Sequence, residues 1–213
     1  MILSSPSAGR RLVLSALVLS TAGLSGCFGL AMTGAAVGTM AVLDRRSLGA
    51  QTEDQAIELR GLRELNDEIN NKVTGSISIT SFNRRVLLSG QADSAQTKQH
   101  AEEIVRNRVP NIKDIYNEVE LANASDFATR TKDTTLTARV KANLVRERNL
   151  SSNAIKVVTE RSTVYLLGLT TRNEGERAAI ISSQVSGVTR VVTLFEYITE
   201  AELAKILGTD KVR

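Results

Sequence analysis

Cys27 is the one thiol in the 213-residue chain, and Leu24-Ser25-Gly26 stand directly before it. A thiol that is alone in its sequence closes no intramolecular disulfide and completes no cysteine-cluster metal site. What remains for it is covalent modification, or the ordinary fate of a free cysteine, burial as a small apolar side chain. His100 is equally alone. A Ser-His-Asp arrangement would have to be built on that residue, and a multi-histidine metal site is excluded. Its neighbours Lys98, Gln99, Glu102 and Glu103 put it on the polar side of a helix. Serines and glutamates scattered over helix faces make no convergent set of acids, bases and nucleophiles. The expectation is a protein that is no enzyme, with no catalytic residue, no cofactor and no metal.

The residues ahead of Cys27 follow a definite order. Arg10 and Arg11 precede an apolar stretch, Leu12 to Ala22. That stretch is too short to span a bilayer and has the length of a signal-peptide core. The small residues Ser25 and Gly26 come next. The whole resembles the bacterial lipobox, Leu-small-Gly/Ala-Cys. The resemblance implies that the Cys27 sulfur carries diacylglycerol as a thioether, that the chain is cut before it, and that the new α-amine is acylated, with palmitate the expected fatty acid. An ordinary secretory signal, or a buried free cysteine, is the competing reading. The ordered run of basic, apolar and small residues ending on Cys27 favours the lipobox. Two or three acyl chains on one residue anchor stably where one is marginal, since each buried methylene contributes ~0.8 kcal/mol. Phe28, not Asp, follows the cysteine. By resemblance to enterobacterial sorting, this implies delivery to the outer membrane, facing the periplasm. Residues 28–43 are uncharged and interrupted by glycines and threonines, which suits a tether on or near the bilayer better than a span.

Composition limits what can follow. Aromatics make up 3% of the chain and tryptophan is absent, so the cores must be built from Ile, Leu, Val and Ala. That favours small regular modules. The formal net charge is +4, and removing residues 1–26 takes away Arg10 and Arg11, leaving 25 basic against 23 acidic residues, or +2. So small an excess, without interleaved aromatics, argues against nucleic acid as a partner.

Past Arg45-Arg46-Ser47 the chain repeats itself. Ile77/Ile155, Ile79/Val157, Val86/Val164, Leu88/Leu166 and Gly90/Gly168 keep an offset of 78, and Val109/Val185 and Ile112/Val188 keep 76. An offset held through so many apolar positions marks a duplicated unit. Each copy reads as a helix (53–70 and 134–148) and two strands (76–80 with 85–89, 155–159 with 163–167). A second helix (94–107 and 173–184) and a last strand (114–121 and 189–198) complete it. Asn83-Arg84 and Arg161-Ser162 occupy the hairpin turns, and Gly90 and Gly168 end the second strands. Asp93 or Ser94, and Asn173, are the candidate caps of the second helices. Alternation in Ile77/Ile79 and Val86/Leu88 predicts a sheet with one buried face. The strand-helix-strand return predicts a parallel pair. The fold class is thus α+β, two tandem αββαβ units, each a three-stranded mixed sheet with two helices on one face. The expected organisation is a signal peptide over 1–26, a lipidated tether over 27–52, units over 53–122 and 131–199, and a short helix and tail over 200–213.

This element order, the strand ending hydrophobic-x-hydrophobic-x-Gly and the later Gly187-Val188 resemble the BON domain. Two such units behind a lipobox resemble the dual BON-domain outer-membrane lipoproteins of Gram-negative bacteria, the DolP type, over residues 44–199. Asp44-Arg45-Arg46-Ser47-Leu48-Gly49 and Val185 to Val191 sharpen the likeness. Pro110-Asn111 in the first copy departs from the Ser186-Gly187 of the second. The resemblance implies binding to phospholipid surfaces, with the first helix of the second unit as the contact, and a role in envelope integrity.

The residues can be set against that implication. In 134–148, Leu136, Val140 and Leu144 recur at i, i+4, i+8 and form a core stripe. Around them stand Arg139, Lys141, Arg146 and Arg148 against Glu147 alone. With Asn143, these make the candidate phospholipid-binding set: Leu136, Arg139, Val140, Lys141, Asn143, Leu144, Arg146 and Arg148. No aromatic lies within 134–148; Phe127, Val145 and Leu150 are the nearby residues for apolar insertion. The corresponding helix of the first unit is acidic, with Glu53, Asp54, Glu58, Glu64, Asp67 and Glu68 against Arg60 and Arg63. Anionic lipid attracts the first kind of helix and repels the second. The leading expectation is a lipid-anchored protein that binds anionic phospholipid. The alternative is a scaffold whose acidic helix or sheet edge holds an envelope protein, such as a division or peptidoglycan-remodelling factor. Oligomeric state is open.

Overall fold

A computed structural model describes residues 44–72, 75–148 and 150–208. The signal segment, Cys27 and the tether to residue 43 lie outside the described residues. Leu43–Arg213 is one compact unit. Its elements run α1 (Leu48–Leu65), continued by a π-helical turn over Asn66–Asn70, β1 (Ser76–Phe82), β2 (Arg85–Ala92), α2 (Ala95–Arg108), β3 (Asp114–Asn117) and β4 (Glu120–Leu121). The second half repeats the order with α3 (Phe127–Arg146), β5 (Ile155–Glu160), β6 (Thr163–Thr170), α4 (Arg172–Ser183) and β7 (Arg190–Tyr197), and closes with α5 (Glu200–Leu207).

In each half the hairpin strands are antiparallel and the last strand returns parallel to the middle one, β1-β2-β3 and β5-β6-β7. The mixed αββαβ units expected from the repeat are therefore present. The hairpins turn where predicted. Asn83, Arg84, Arg161 and Ser162 all have positive φ, between 46° and 65°, the pairing that a two-residue hairpin turn demands. The final strand of the first unit is broken at Glu118-Val119, and β4 carries on pairing with β2. The break lies opposite Ser89-Gly90, where Gly90 has a φ of 107°.

Several boundaries differ from the sequence reading, most for a local reason. The first helix starts at Leu48, not 53, because the Ser47 side chain accepts from the Ala50 amide at 3.1 Å. The third helix starts at Phe127, not 134, because Asp126 accepts from the Thr129 amide at 2.8 Å. It ends at Arg146, so Arg148 lies beyond it. The cap of α4 is Thr171, not Asn173. Its hydroxyl accepts from the Glu174 amide while Glu174 accepts from the Thr171 amide, a capping box. Gly90 and Gly168 sit inside β2 and β6 rather than ending them. They are needed for close approach: a Cβ there would stand 2.0 Å from the Ser76 carbonyl oxygen and 2.6 Å from that of Ala154.

Burial corrects one larger expectation. The sheets are covered on both faces. Val86 and Leu88 face α1 and α2, and Val164 and Leu166 face α3 and α4, each set inside a separate core. The alternate residues Phe82 and Leu87 join Tyr165, Leu167, Leu169 and Leu194 in a third core. The two sheets therefore pack back to back, giving helix, sheet, sheet, helix layers. Burial holds the Tyr165 phenol up at about 12, with Glu118 adding to the effect. Polar pairs between the units ring this core. Gln91 donates to Glu160 at 2.7 Å, Asn83 to Glu196 at 2.7 Å, and Arg85 to the Phe195 carbonyl at 3.2 Å. Lys156 pairs with Glu58 at 2.5 Å and Arg190 with Glu118 at 3.4 Å. All three cores are made of residues 44–208.

Candidate functional site

Helix α3 is fixed to its sheet from two directions. Leu136, Val140 and Leu144 are at most 2% exposed and belong to the core that α3 and α4 share with their sheet. They hold the helix in place, packed inward rather than on its outward face. At the other end, the buried Asp133 carboxylate accepts from the Arg161 and Ser162 amides at 2.8 and 2.9 Å. It thereby ties the helix to the positive-φ turn. Asp54 in α1 does the same for the first hairpin, accepting from the Asn83 and Arg84 amides, both at 2.7 Å, and from the Ser81 hydroxyl at 2.6 Å. The sequence reading counted Asp54 among surface acids and gave Asp133 no role. Their recurrence three residues before Ile57 and Leu136, at matching places in the two copies, was the signal available.

The outward side of α3 has its own order. Arg139, Lys141 and Arg146 are exposed, Arg148 is exposed beyond the helix end, and Asn143 is half-buried. Between the cations runs a ridge of Thr131, Thr135, Ala138, Ala142 and Val145, spaced by three and four residues and so on one face. Val145 is 67% exposed. The hydroxyls of Thr131 and Thr135 turn back onto the carbonyls of Phe127 and Thr131 at 2.9 and 3.0 Å, which satisfies them within the helix. At the helix start, Phe127 is 83% exposed. The longer helix therefore supplies the aromatic that the segment 134–148 lacks. The ridge from Phe127 to Val145 is ~27 Å long at 1.5 Å per residue. Lys132 and Arg139 flank one side, with Arg146, and Arg130 and Lys141 the other.

Charge on this face is unbalanced. Among the described residues, Lys132, Arg139, Lys141, Arg146 and Arg148 take part in no ion pair. Glu147, between Arg146 and Arg148 in sequence, is bound by Arg177 of α4. The acids of α1 are used quite differently. Glu58 accepts from the Ser81 amide at 2.7 Å as well as from Lys156. Glu64 and Glu68 share the Arg108 guanidinium at 3.0 and 2.9 Å. Hydrogen bonds from Arg108 and Lys72 hold the Glu68 carboxyl down at about 2. Much of the acidic charge of the first unit's helix is thus paired within the fold, while Asp67 is exposed. That helix's exposed large apolar residues are Leu48, Leu59 and Leu62.

His100 is on the exposed face of α2, 3.8 Å from Glu103. Among the described residues no group of three or more His, Cys, Asp or Glu side chains is arranged to hold a metal ion. No described helix is long and apolar enough to cross a membrane.

The BON domain family matches this chain twice, over residues 53–123 and 132–199. The outer membrane lipoprotein DolP of Haemophilus influenzae is 31% identical over 185 residues, 87% of this chain and 95% of that protein. A 21 kDa hemolysin of Actinobacillus pleuropneumoniae is 26% identical over 73% of this chain and 80% of its own length. Among solved structures, CdsD, a structural protein of the type III secretion system of Chlamydia trachomatis, is 8% identical and covers 71% of this chain and 98% of its own, with a TM-score of 0.28. That superposition is too loose to bear on fold or function.

Proposed function

The chain belongs to the BON-domain family, and from that premise we propose a lipid-anchored protein of the outer membrane, facing the periplasm, that binds anionic phospholipid through the outward face of α3. The anchor is Cys27. The observation that carries the reading is the α3 surface itself: an exposed Phe127–Val145 ridge flanked by Lys132, Arg139, Lys141 and Arg146, none of which pairs with a described carboxylate. Each Lys or Arg near an anionic surface contributes about 1 kcal/mol. The apolar ridge adds shallow insertion at the headgroup level. Neither contribution is large alone. The anchor raises the local concentration of the domain at the bilayer, so a weak second contact suffices. In this role the protein supports envelope integrity as a binding module, with no catalytic residue.

Two measurements test the reading. Membrane fractionation of wild type against Cys27→Ala, with the intact mass of the mature chain, tests the anchor. Retention of Cys27→Ala in the outer-membrane fraction with an unmodified mass contradicts it. Flotation of residues 43–213 with phosphatidylglycerol vesicles tests α3. Binding is expected to weaken as salt rises from 0.1 to 1 M, because screening shortens from ~10 to ~3 Å. Equal binding to phosphatidylcholine vesicles contradicts it.

A further inference from the structure

Beside the C-terminal half of α3 lies a cleft of about 360 Å³. It is walled by both units. Arg46, just before α1, and Phe82 of β1 come from the first unit; Leu144 and Val145 of α3 and Val157 of β5 come from the second. The size lies in the range of small-molecule sites, which are mainly apolar with a few placed polar groups. The charged groups here are of one sign. Arg46, Lys141 and Lys156 line the cleft, and no carboxylate does.

Two of the three cations are held in position. Asp44 and Asp54 grip the Arg46 guanidinium at 2.8 and 2.7 Å, and it lies 4.1 Å from the Phe82 ring centroid. Glu58 pairs with Lys156. Lys141 has no ion pair among the described residues and stands on the basic side of α3. Val145 belongs to both the cleft and the exposed ridge. A molecule entering from the lipid-facing surface thus meets Lys141 first, then apolar wall.

We propose that this cleft binds a single anionic glycerophospholipid, its phosphate at Lys141 and part of one acyl chain against Phe82, Leu144 and Val157. The proposal rests on the reading of α3 as the lipid-facing helix and deepens it from surface contact to capture of one lipid molecule. Because the cleft is built from both units, an occupied cleft also braces them against each other.

The test separates the two levels. Residues 43–213, which contain all three cores, are titrated calorimetrically with dihexanoyl phosphatidylglycerol below its micellar concentration. Saturable one-to-one binding is expected, weakened at least tenfold by Ser152→Trp, which fills the cleft from its rim, and by Lys141→Ala. Asn153→Trp, on the exposed rim, replaces Ser152→Trp if that variant unfolds. Arg139→Glu with Arg146→Glu should leave this monomer binding within twofold while reducing vesicle flotation, and Ser152→Trp should leave flotation intact. Vesicle binding without saturable monomer binding overturns the cleft and spares the α3 surface. Full-strength monomer binding by the folded rim variants overturns it too. So does equal heat from inorganic phosphate alone, which would make the site one for the free anion. Loss of both monomer and vesicle binding in the wild type overturns both levels.

Discussion

Arg45 and Glu174 stand 129 positions apart and meet in a two-pronged ion pair at 2.6 and 2.7 Å. Arg45 also donates to the Leu169 carbonyl at 3.0 Å. The guanidinium is buried, yet it precedes α1 of the first unit and is bound wholly by the second. The chain therefore enters its first unit along the surface of its second. Joined there, by the ion-pair ring and by the core between the sheets, the units should unfold as one.

This pair predicts an acid response. Burial pushes the Glu174 carboxyl up, but hydrogen bonds from Arg45 and from Thr171 outweigh it and leave the group below its ordinary value of 4.5. A depressed carboxylate stabilises the fold above its unfolded value, and that stability is lost as pH falls through the folded value. Glu174→Gln should cost about 3 kcal/mol at pH 7, because it leaves a buried Arg45 uncompensated. It should also flatten the pH dependence below 4.5. Denaturant melts at pH 7, 4 and 3 check both.

Asp133 predicts a turn effect. Asp133→Ala leaves two turn amides without their charged acceptor and should destabilise by about 2–3 kcal/mol. The same change at Arg139, an exposed residue, should stay within about 0.5 kcal/mol. Urea midpoints of the two variants read the difference.

These two predictions rest on contacts that the sequence did not disclose, while much else was legible. The duplicated pattern gave both αββαβ units, both hairpin turns and the Leu136-Val140-Leu144 stripe, because these depend on local periodicity. The runs Val86-Leu87-Leu88 and Val164 to Leu167 already held the sign of two-sided burial, since unbroken apolar runs mark strands covered on both faces. Reading only their alternate members hid the sheet-on-sheet core. The start of α3 was missed because Phe127 to Asp133 has no apolar stripe: its inward contact is a carboxylate to a hairpin, which hydrophobic periodicity cannot register. Arg45 finds its partner only in three dimensions.

The sheet-on-sheet core predicts coupling between units. Leu167→Asp places a carboxylate among Phe82, Leu87 and Tyr165, at a position now fully buried. An unpaired buried charge of this kind costs several kcal/mol. Both units should lose their hydrogen-exchange protection together; protection lost from the second unit alone would mean that the halves are independent.

Phe127 predicts an effect on membrane binding without one on folding. The ring is 83% exposed, so Phe127→Ser should leave the melting temperature within about 2 °C. Losing its insertion should lower vesicle affinity by roughly five- to tenfold, given about 1–1.5 kcal/mol for a partly inserted apolar side chain. Flotation against a thermal melt of the same sample checks both.

The central claim is that the outward face of α3 meets anionic lipid. Its most direct test is the partition of residues 43–213 onto phosphatidylglycerol vesicles at low salt, wild type against Arg139→Glu with Arg146→Glu. Two lost attractions of about 1 kcal/mol each predict a fall in affinity of about 30-fold or more, vanishing as salt approaches 1 M. Unchanged partition of a folded double variant would contradict the account.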